Sequence, residues 1–104
     1  MAESVTIARP YAEAVFRTAK EGGALGAWSA RLARLAMVAQ DAEMASVIGN
    51  PRLSTEQVAQ LFLSLADEND ATLGNFIRTL AENRRLSILP EISRLFDLAK
   101  SQEE

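Results

Sequence analysis

The spacing of apolar residues constrains this chain more than any other feature of its sequence. They recur every three or four positions, and no stretch of five or more residues alternates between apolar and polar as a half-buried strand does. The three prolines and five glycines lie mostly between the periodic stretches. With 104 residues, the chain can form one hydrophobic core but not two. The sequence therefore predicts an all-α fold, a single-domain six-helix bundle over residues 1–104.

The first predicted helix is rich in alanine. It runs from about Thr6 to Lys20, and the run "EGG" ends it. Pro10 is compatible with this helix if it lies in the first turn, where backbone N–H groups have no helical partner. Pro90 is predicted to lie in the first turn of the sixth helix for the same reason.

Local capping signals mark the start of other helices. Asp41 is the predicted N-cap of the third helix, and Ser54 opens the fourth within the capping-box sequence "STEQ". Asn69 or Asp70 is the predicted cap of the fifth helix. The run "KSQEE" at the end of the chain is predicted to be a solvated tail.

Composition excludes several functional classes. The net charge of −3 and the pI near 5.0 disfavour nucleic acid as a partner, because its binding requires clustered Lys and Arg. The chain has no cysteine and no histidine, so it lacks thiol chemistry, the commonest general base and the commonest transition-metal ligand. No hydroxyl residue lies in a nucleophile-elbow or glycine-rich phosphate motif. We therefore predict that the chain is not an enzyme and has no catalytic residues, no cofactor and no metal site.

Targeting signals are also missing from the sequence. No apolar run is long enough to span a bilayer, and the first residues have neither secretory nor transit character. We expect cytoplasmic synthesis without processing and no direct insertion into a membrane.

Two polar clusters have both a functional and a structural interpretation. Asp67, Glu68 and Asp70 could bind a cation, but the run "DENDATLGNF" lacks the ligand spacing of a calcium loop. Arg84 and Arg85 could bind a phosphate, but a basic pair at a helix boundary usually complements the C-terminal dipole. A solvated loop and a helix cap are the predicted roles.

Trp28 is the only tryptophan in the chain, and it lies on the apolar face of the second helix, predicted from about residue 24 to 40. Packing in the core is the favoured interpretation of Trp28. A hot spot for a partner is the alternative.

The first helix has more uncharged surface than a core requires. At 100° per residue, its charged residues share one narrow side, and the uncharged remainder covers roughly 200°, about twice the width of a core-facing stripe. The part predicted to face the core comprises Ala8, Ala12, Val15, Phe16 and Ala19. The remaining part, the outer face of the first helix, comprises Ile7, Tyr11, Ala14 and Thr18.

The fifth helix has a similar uncharged flank beside its core stripe. This uncharged flank comprises Thr72, Asn75, Thr79 and Asn83. Two interpretations of both surfaces remain open: other helices of the same bundle cover them, or they form a shallow trough that binds an amphipathic helix of a partner. In the second interpretation Ala14 lets the two backbones approach, and Tyr11 supplies a rigid contact area.

Two stretches of the chain resemble a known family. "TIARPYAEAVF" at residues 6–16 is similar to the N-terminal signature of the delta subunit of bacterial F-type ATP synthases, the counterpart of the mitochondrial oligomycin-sensitivity-conferring protein. "FIRTLAENRRLSILPEI" at residues 76–92 resembles a later signature of the same family, and the position of Trp28 agrees. The resemblance covers essentially the whole chain.

The resemblance implies the N-terminal domain of a non-catalytic stator subunit that serves ATP synthesis and hydrogen ion transport. Such a domain lies on the catalytic head and binds the N-terminal helix of an alpha subunit in a groove between the first and fifth helices. In that family a C-terminal domain, which we expect to be absent from this chain, binds the b subunit of the peripheral stalk. We expect the chain to be a monomer in isolation. As part of the ATP synthase complex, it is expected to lie peripherally on the cytoplasmic side of the bacterial inner membrane.

Carried over by position, the resemblance also implies a set of partner-binding residues. They are Ile7, Tyr11, Ala14, Thr18, Asn75, Thr79 and Asn83. Thr79 departs from the family pattern, in which an aliphatic side chain is expected. The alternative function is a six-helix signalling adaptor that binds partners through charged patches. RNA binding by a helical domain is a third interpretation, and the acidic pI disfavours it.

Overall fold

The computed structural model describes residues 2–68 and 70–103, and within them it contains six α-helices, one short 3-10 helix and no strand. The α-helices are α1 (Ala2–Glu21), α2 (Leu25–Gln40), α3 (Ala42–Ile48), α4 (Thr55–Leu65), α5 (Ala71–Glu82) and α6 (Leu89–Glu103), and the 3-10 helix is Leu86–Ile88. The predicted all-α fold with six helices is confirmed. None of the helices in these two ranges combines the length and the apolar character needed to cross a bilayer.

Contacts within the chain divide it into two compact units. The first unit comprises the residues up to Ala36 and those from Ile88 onward, and the second comprises Met37–Ser87. The first unit therefore contains α1, most of α2 and α6, and the second contains α3, α4 and α5.

In the first unit, α1 packs against α6. The buried positions of α1 are Ala8, Ala12, Val15 and Ala19. Phe16 is half-buried, and its ring meets that of Phe96 edge to face, with the ring centroids 5.6 Å apart. Because the distance between helix axes depends on the side chains at the contact, alanine at these positions allows α1 to lie close to its neighbours.

In the second unit, α4 packs against α5 and also contacts α3. The fully buried side chains of this pair include Phe62 from α4 with Leu73, Ile77 and Leu80 from α5. Gly74 is also buried, at a point where a side chain of α4 comes close to α5: a Cβ atom at this position would lie 3.8 Å from Leu63 Cδ1.

Helix α1 begins earlier than the sequence predicts. It starts at Ala2 and not near Thr6, so Pro10 lies in the helix interior and not in the first turn. Proline in a helix interior costs about 3 kcal/mol, because it cannot donate the backbone hydrogen bond and its ring crowds the carbonyl four residues earlier. Glu3 lies in the first turn, where a negative charge interacts favourably with the helix dipole.

The predicted N-caps are confirmed. The side-chain oxygens of Asp41, Ser54 and Asp70 each accept the backbone N–H three residues later, at 3.1, 3.1 and 2.9 Å. Gln57 completes the capping box, since its Oε1 accepts the Ser54 backbone N–H at 2.8 Å. Asn69, the alternative cap of α5, lies outside the described residues.

Three helices end with one residue in the left-handed region, namely Gly23 after α1, Asp67 after α4 and Arg84 after α5, with φ of 65°, 57° and 58°. In each case the next N–H donates to a carbonyl five residues earlier, at 2.9, 3.0 and 2.7 Å, which is the hydrogen bond of a Schellman motif. Glycine adopts this backbone freely, whereas Asp67 and Arg84 adopt it at a cost of about 1–2 kcal/mol each.

The last helix is longer than predicted. It runs to Glu103, so the described part of "KSQEE" is helical, with Lys100 half-buried and residues 101–103 exposed. These three residues are solvated as predicted, but they form the end of a helix and not a tail. Lys20 Nζ of α1 lies 2.7 Å from Glu103 Oε1, and this ion pair holds the end of α6 beside α1. Pro90 lies in the first turn of α6, as predicted.

Candidate partner-binding surface

The outer face of α1 is accessible along its whole length. Ala14 and Thr18 are exposed, and Ile7 and Tyr11 are half-buried. On the core-facing side of the same helix, Ala12 is only 5% exposed. Helix α1 therefore has a buried alanine side and an accessible uncharged side, which is the division that helical periodicity predicts.

The Thr18 hydroxyl is turned back onto its own helix. Its Oγ1 donates to the Ala14 carbonyl oxygen at 3.1 Å, a bond that threonine readily makes in a helix. Because the hydroxyl proton is used within the helix, the side chain offers a partner its methyl group and the lone pairs of its oxygen, but no donor.

The uncharged flank of α5 is exposed as well. Thr72, Asn75, Thr79 and Asn83 are all exposed, and Asn83 is the C-cap of the helix. Thr79 Oγ1 donates to the Asn75 carbonyl oxygen at 2.9 Å, so this threonine is arranged as Thr18 is on α1.

An interhelical contact next to this flank has no counterpart in the sequence analysis. Arg78 Nε of α5 donates to both carboxylate oxygens of Glu56 in α4, at 3.2 Å each. Arg78 Nη1 also donates to Asn75 Oδ1 at 3.4 Å. Glu56 and Arg78 are 22 positions apart in the sequence, and no local signal predicts that they meet.

Of the seven predicted partner-binding residues, five are thus exposed and two are half-buried. This exposure does not fit the interpretation in which other helices of the chain cover both surfaces. Helix α1 belongs to the first unit and α5 to the second, so the structure describes the two surfaces separately. The groove predicted between them stays a prediction.

Two cavities, one in each unit, lie away from these surfaces. A cavity of about 490 Å³ in the first unit is lined by α1 and α6 residues that include Ala12, Phe16, Leu95 and Leu98. A cavity of about 350 Å³ in the second unit is lined mainly by residues 48–58 with Arg84. Neither cavity is lined by any of the seven predicted residues, as expected for a shallow helix-binding surface in contrast to a small-molecule pocket.

The polar clusters have structural roles in the described chain. Asp70 caps α5, and Asp67 and Arg84 form the C-terminal turns of α4 and α5. Residues 2–68 and 70–103 contain no group of three or more His, Cys, Asp or Glu side chains arranged to hold a metal ion.

Trp28 packs in the core, as predicted, with 7% of its surface exposed. The guanidinium carbon of Arg31 lies 5.7 Å from the centre of its ring. A side chain so deeply buried offers little surface to a partner, which argues against the hot-spot alternative.

An all-helical chain with accessible, uncharged helix faces has the character of a protein-binding module. Residues 7–104 match the family model described as ATP synthase delta (OSCP) subunit. The chain belongs to this family, as its two signature stretches indicated.

Its relatives include the ATP synthase subunit delta of three bacteria. The chain is 51% identical to that of Aromatoleum aromaticum, 50% to that of Dechloromonas aromatica and 49% to that of Hahella chejuensis, over 105 aligned positions. The alignments cover the whole chain but only 59% of each relative. The chain therefore spans less than two thirds of the length of these relatives.

Proposed function

We propose that this chain is the head-binding domain of a non-catalytic stator subunit in an F-type ATP synthase. It binds the N-terminal helix of an alpha subunit through the outer face of α1 and the uncharged flank of α5. Membership of the delta family, together with the accessible uncharged face of α1, supports this proposal. The complex holds the chain peripherally on the cytoplasmic side of the bacterial inner membrane. Contact with the b subunit of the peripheral stalk is assigned to the portion of the relatives that this chain does not span.

The chemistry of the two surfaces suits an amphipathic helix. Ala14 is exposed and small, so a second backbone can approach α1 closely. Tyr11 adds a large and rigid contact area next to it. Thr18 and Thr79 use their hydroxyl protons within their own helices and present methyl groups, so Thr79 offers apolar contact although it replaces an aliphatic residue of the family pattern.

The substitution Ala14→Asp tests this proposal. We expect the variant to fold, because Ala14 is exposed, and to lose binding of a synthetic peptide that carries the N-terminal helix of the alpha subunit from the same organism. A charge without a partner in an apolar contact weakens binding by at least about 1–3 kcal/mol. Titration calorimetry with a peptide of about 20 residues, roughly five helical turns, measures the loss.

Ala30→Asp is the matched control, since Ala30 is an exposed alanine of α2 in the same unit and lies outside both surfaces. This variant should bind the peptide as the wild type does. Equal binding by the wild type and Ala14→Asp would show that the surface is misplaced, and an unfolded Ala14→Asp protein would show that Ala14 is part of the core.

A further inference from the structure

The orientation of one amide on α5 is determined by its neighbours. Arg78 is anchored to Glu56 through two hydrogen bonds of 3.2 Å, and Glu56 also accepts a hydrogen bond from Gln60 Nε2 at 3.3 Å. The guanidinium extends beside Gly74, where a Cβ atom would lie 3.5 Å from Arg78 Nη1. From this position Arg78 Nη1 reaches Asn75 Oδ1 at 3.4 Å.

Donor and acceptor chemistry then fixes which end of the Asn75 amide faces outward. A guanidinium can only donate, so the amide oxygen, and not the amide nitrogen, has to face Arg78. The NH2 group is left on an exposed side chain, with two donors available to a partner. Next to it, the Thr79 hydroxyl donates within α5, which leaves an apolar methyl group beside the amide.

We infer that Asn75 is a specificity-determining donor of this surface and that Arg78 is the residue that positions it. The partner helix accordingly carries a side-chain oxygen acceptor, of a carboxylate or an amide, beside an aliphatic side chain that packs on the Thr79 methyl. This inference rests on the proposed function, and it adds the hydrogen-bonding chemistry that the partner has to supply.

The substitution Asn75→Asp tests the donor with almost no change of shape. The aspartate keeps an oxygen towards Arg78 but replaces the outward NH2 by a second oxygen. We expect the peptide affinity to fall about tenfold or more, because one hydrogen bond is lost and two acceptors then face each other. Asn75→Ala should weaken binding less, by about three- to tenfold, since it removes the donor without adding repulsion.

The substitution Arg78→Met tests the positioning role through a double-mutant cycle. Alone, it should weaken peptide binding by about two- to threefold, because the amide is no longer held in one orientation. In the Asn75→Ala background it should have no further effect, which a purely structural role of Arg78 does not predict. Arg94→Met is the matched control: Arg94 is also an ion-paired surface arginine, bound to Glu91 in α6, and its loss should leave binding unchanged.

These measurements separate the inference from the proposed function. If the wild-type chain does not bind the peptide in calorimetry, both are overturned. If the wild type binds and Asn75→Asp binds equally well, or Arg78→Met acts equally in both backgrounds, only the inference is overturned. If Arg78→Met does not fold, Glu56→Gln takes its place in the cycle, because it weakens the anchor of Arg78 by a change of one atom.

Discussion

Single residues with positive φ follow the ends of three helices of this chain. Gly23, Asp67 and Arg84 occupy equivalent positions after three helices, but only Gly23 has the residue type that favours positive φ. The two other sites hold a strained backbone that the surrounding hydrogen bonds maintain. Arg84 is an exposed residue in this strained conformation.

The substitution Arg84→Gly should raise the free energy of unfolding by about 0.5–1 kcal/mol. It removes the cost of the left-handed conformation, and the greater freedom of glycine in the unfolded chain offsets part of the gain. Urea unfolding followed by circular dichroism measures the change. Arg85→Gly is the control. Because Arg85 does not have positive φ, this variant should be less stable than the wild type. Equal destabilisation by both substitutions would contradict the strain at Arg84.

Residue-level features were predictable where their signal is local. Asp41, Ser54 and Asp70 could be identified as caps because the residue and the N–H that it binds are three positions apart. The hydrogen bonds from Arg78 to Glu56 could not be predicted in this way, because they depend on how α4 packs against α5. The sequence also could not predict that Leu61 and Leu65 are exposed. Periodicity shows which residues share a face of α4, but it does not show how much of that face the core covers.

Among the elements, α1 combines a clear sequence signal with an error in its predicted start, which lies at Ala2 and not near Thr6. Its faces follow from helical periodicity, because each residue advances by a fixed angle regardless of where the helix begins. Its start does not follow, since proline most often occurs near helix starts and the sequence therefore predicts Pro10 in the first turn. In the structure, Pro10 lies in the interior of α1.

The substitution Pro10→Ala should stabilise the chain by about 1–3 kcal/mol, because it restores a backbone N–H donor and removes the clash of the ring inside α1. Thermal and urea unfolding measure the gain. Pro90→Ala is the matched control, since Pro90 lies in the first turn of α6, where proline is tolerated. That variant should be unchanged or less stable by up to about 1 kcal/mol.

A Pro10→Ala protein that is no more stable than the wild type would place Pro10 in a first turn after all. It would then favour the later helix start near Thr6 that the sequence indicates.

For the whole molecule, the type of surface used for binding decides between the two functions considered for it. A partner helix on uncharged faces buries apolar area, whereas an adaptor with charged patches binds mainly by electrostatic attraction. The ion pair of Lys20 with Glu103 is exposed and lies outside the seven predicted residues. Thermodynamic measurements on the complex can distinguish the two modes directly.

Binding of the alpha-subunit peptide should have a negative heat-capacity change and weak salt dependence. We expect the dissociation constant to change by less than about threefold between about 0.1 and 1 M salt, over which the Debye length falls from about 10 to about 3 Å. Calorimetry at several temperatures gives the heat-capacity change, whose negative sign reports burial of apolar surface. A tenfold or larger loss of affinity in salt would favour the adaptor.

Under the function proposed here, the alanines of α1 also affect how the molecule carries a mechanical load. A helix held on the outer face of α1 pulls on a joint whose buried side includes Ala8, Ala12 and Ala19. Alanine has no alternative rotamers, so these buried positions have no side-chain adjustment by which to yield. A pull on the outer face is therefore not absorbed by rearrangement of the side chains beneath it. In the rotary complex proposed for this chain, such stiffness limits play at the point where the stationary parts are joined.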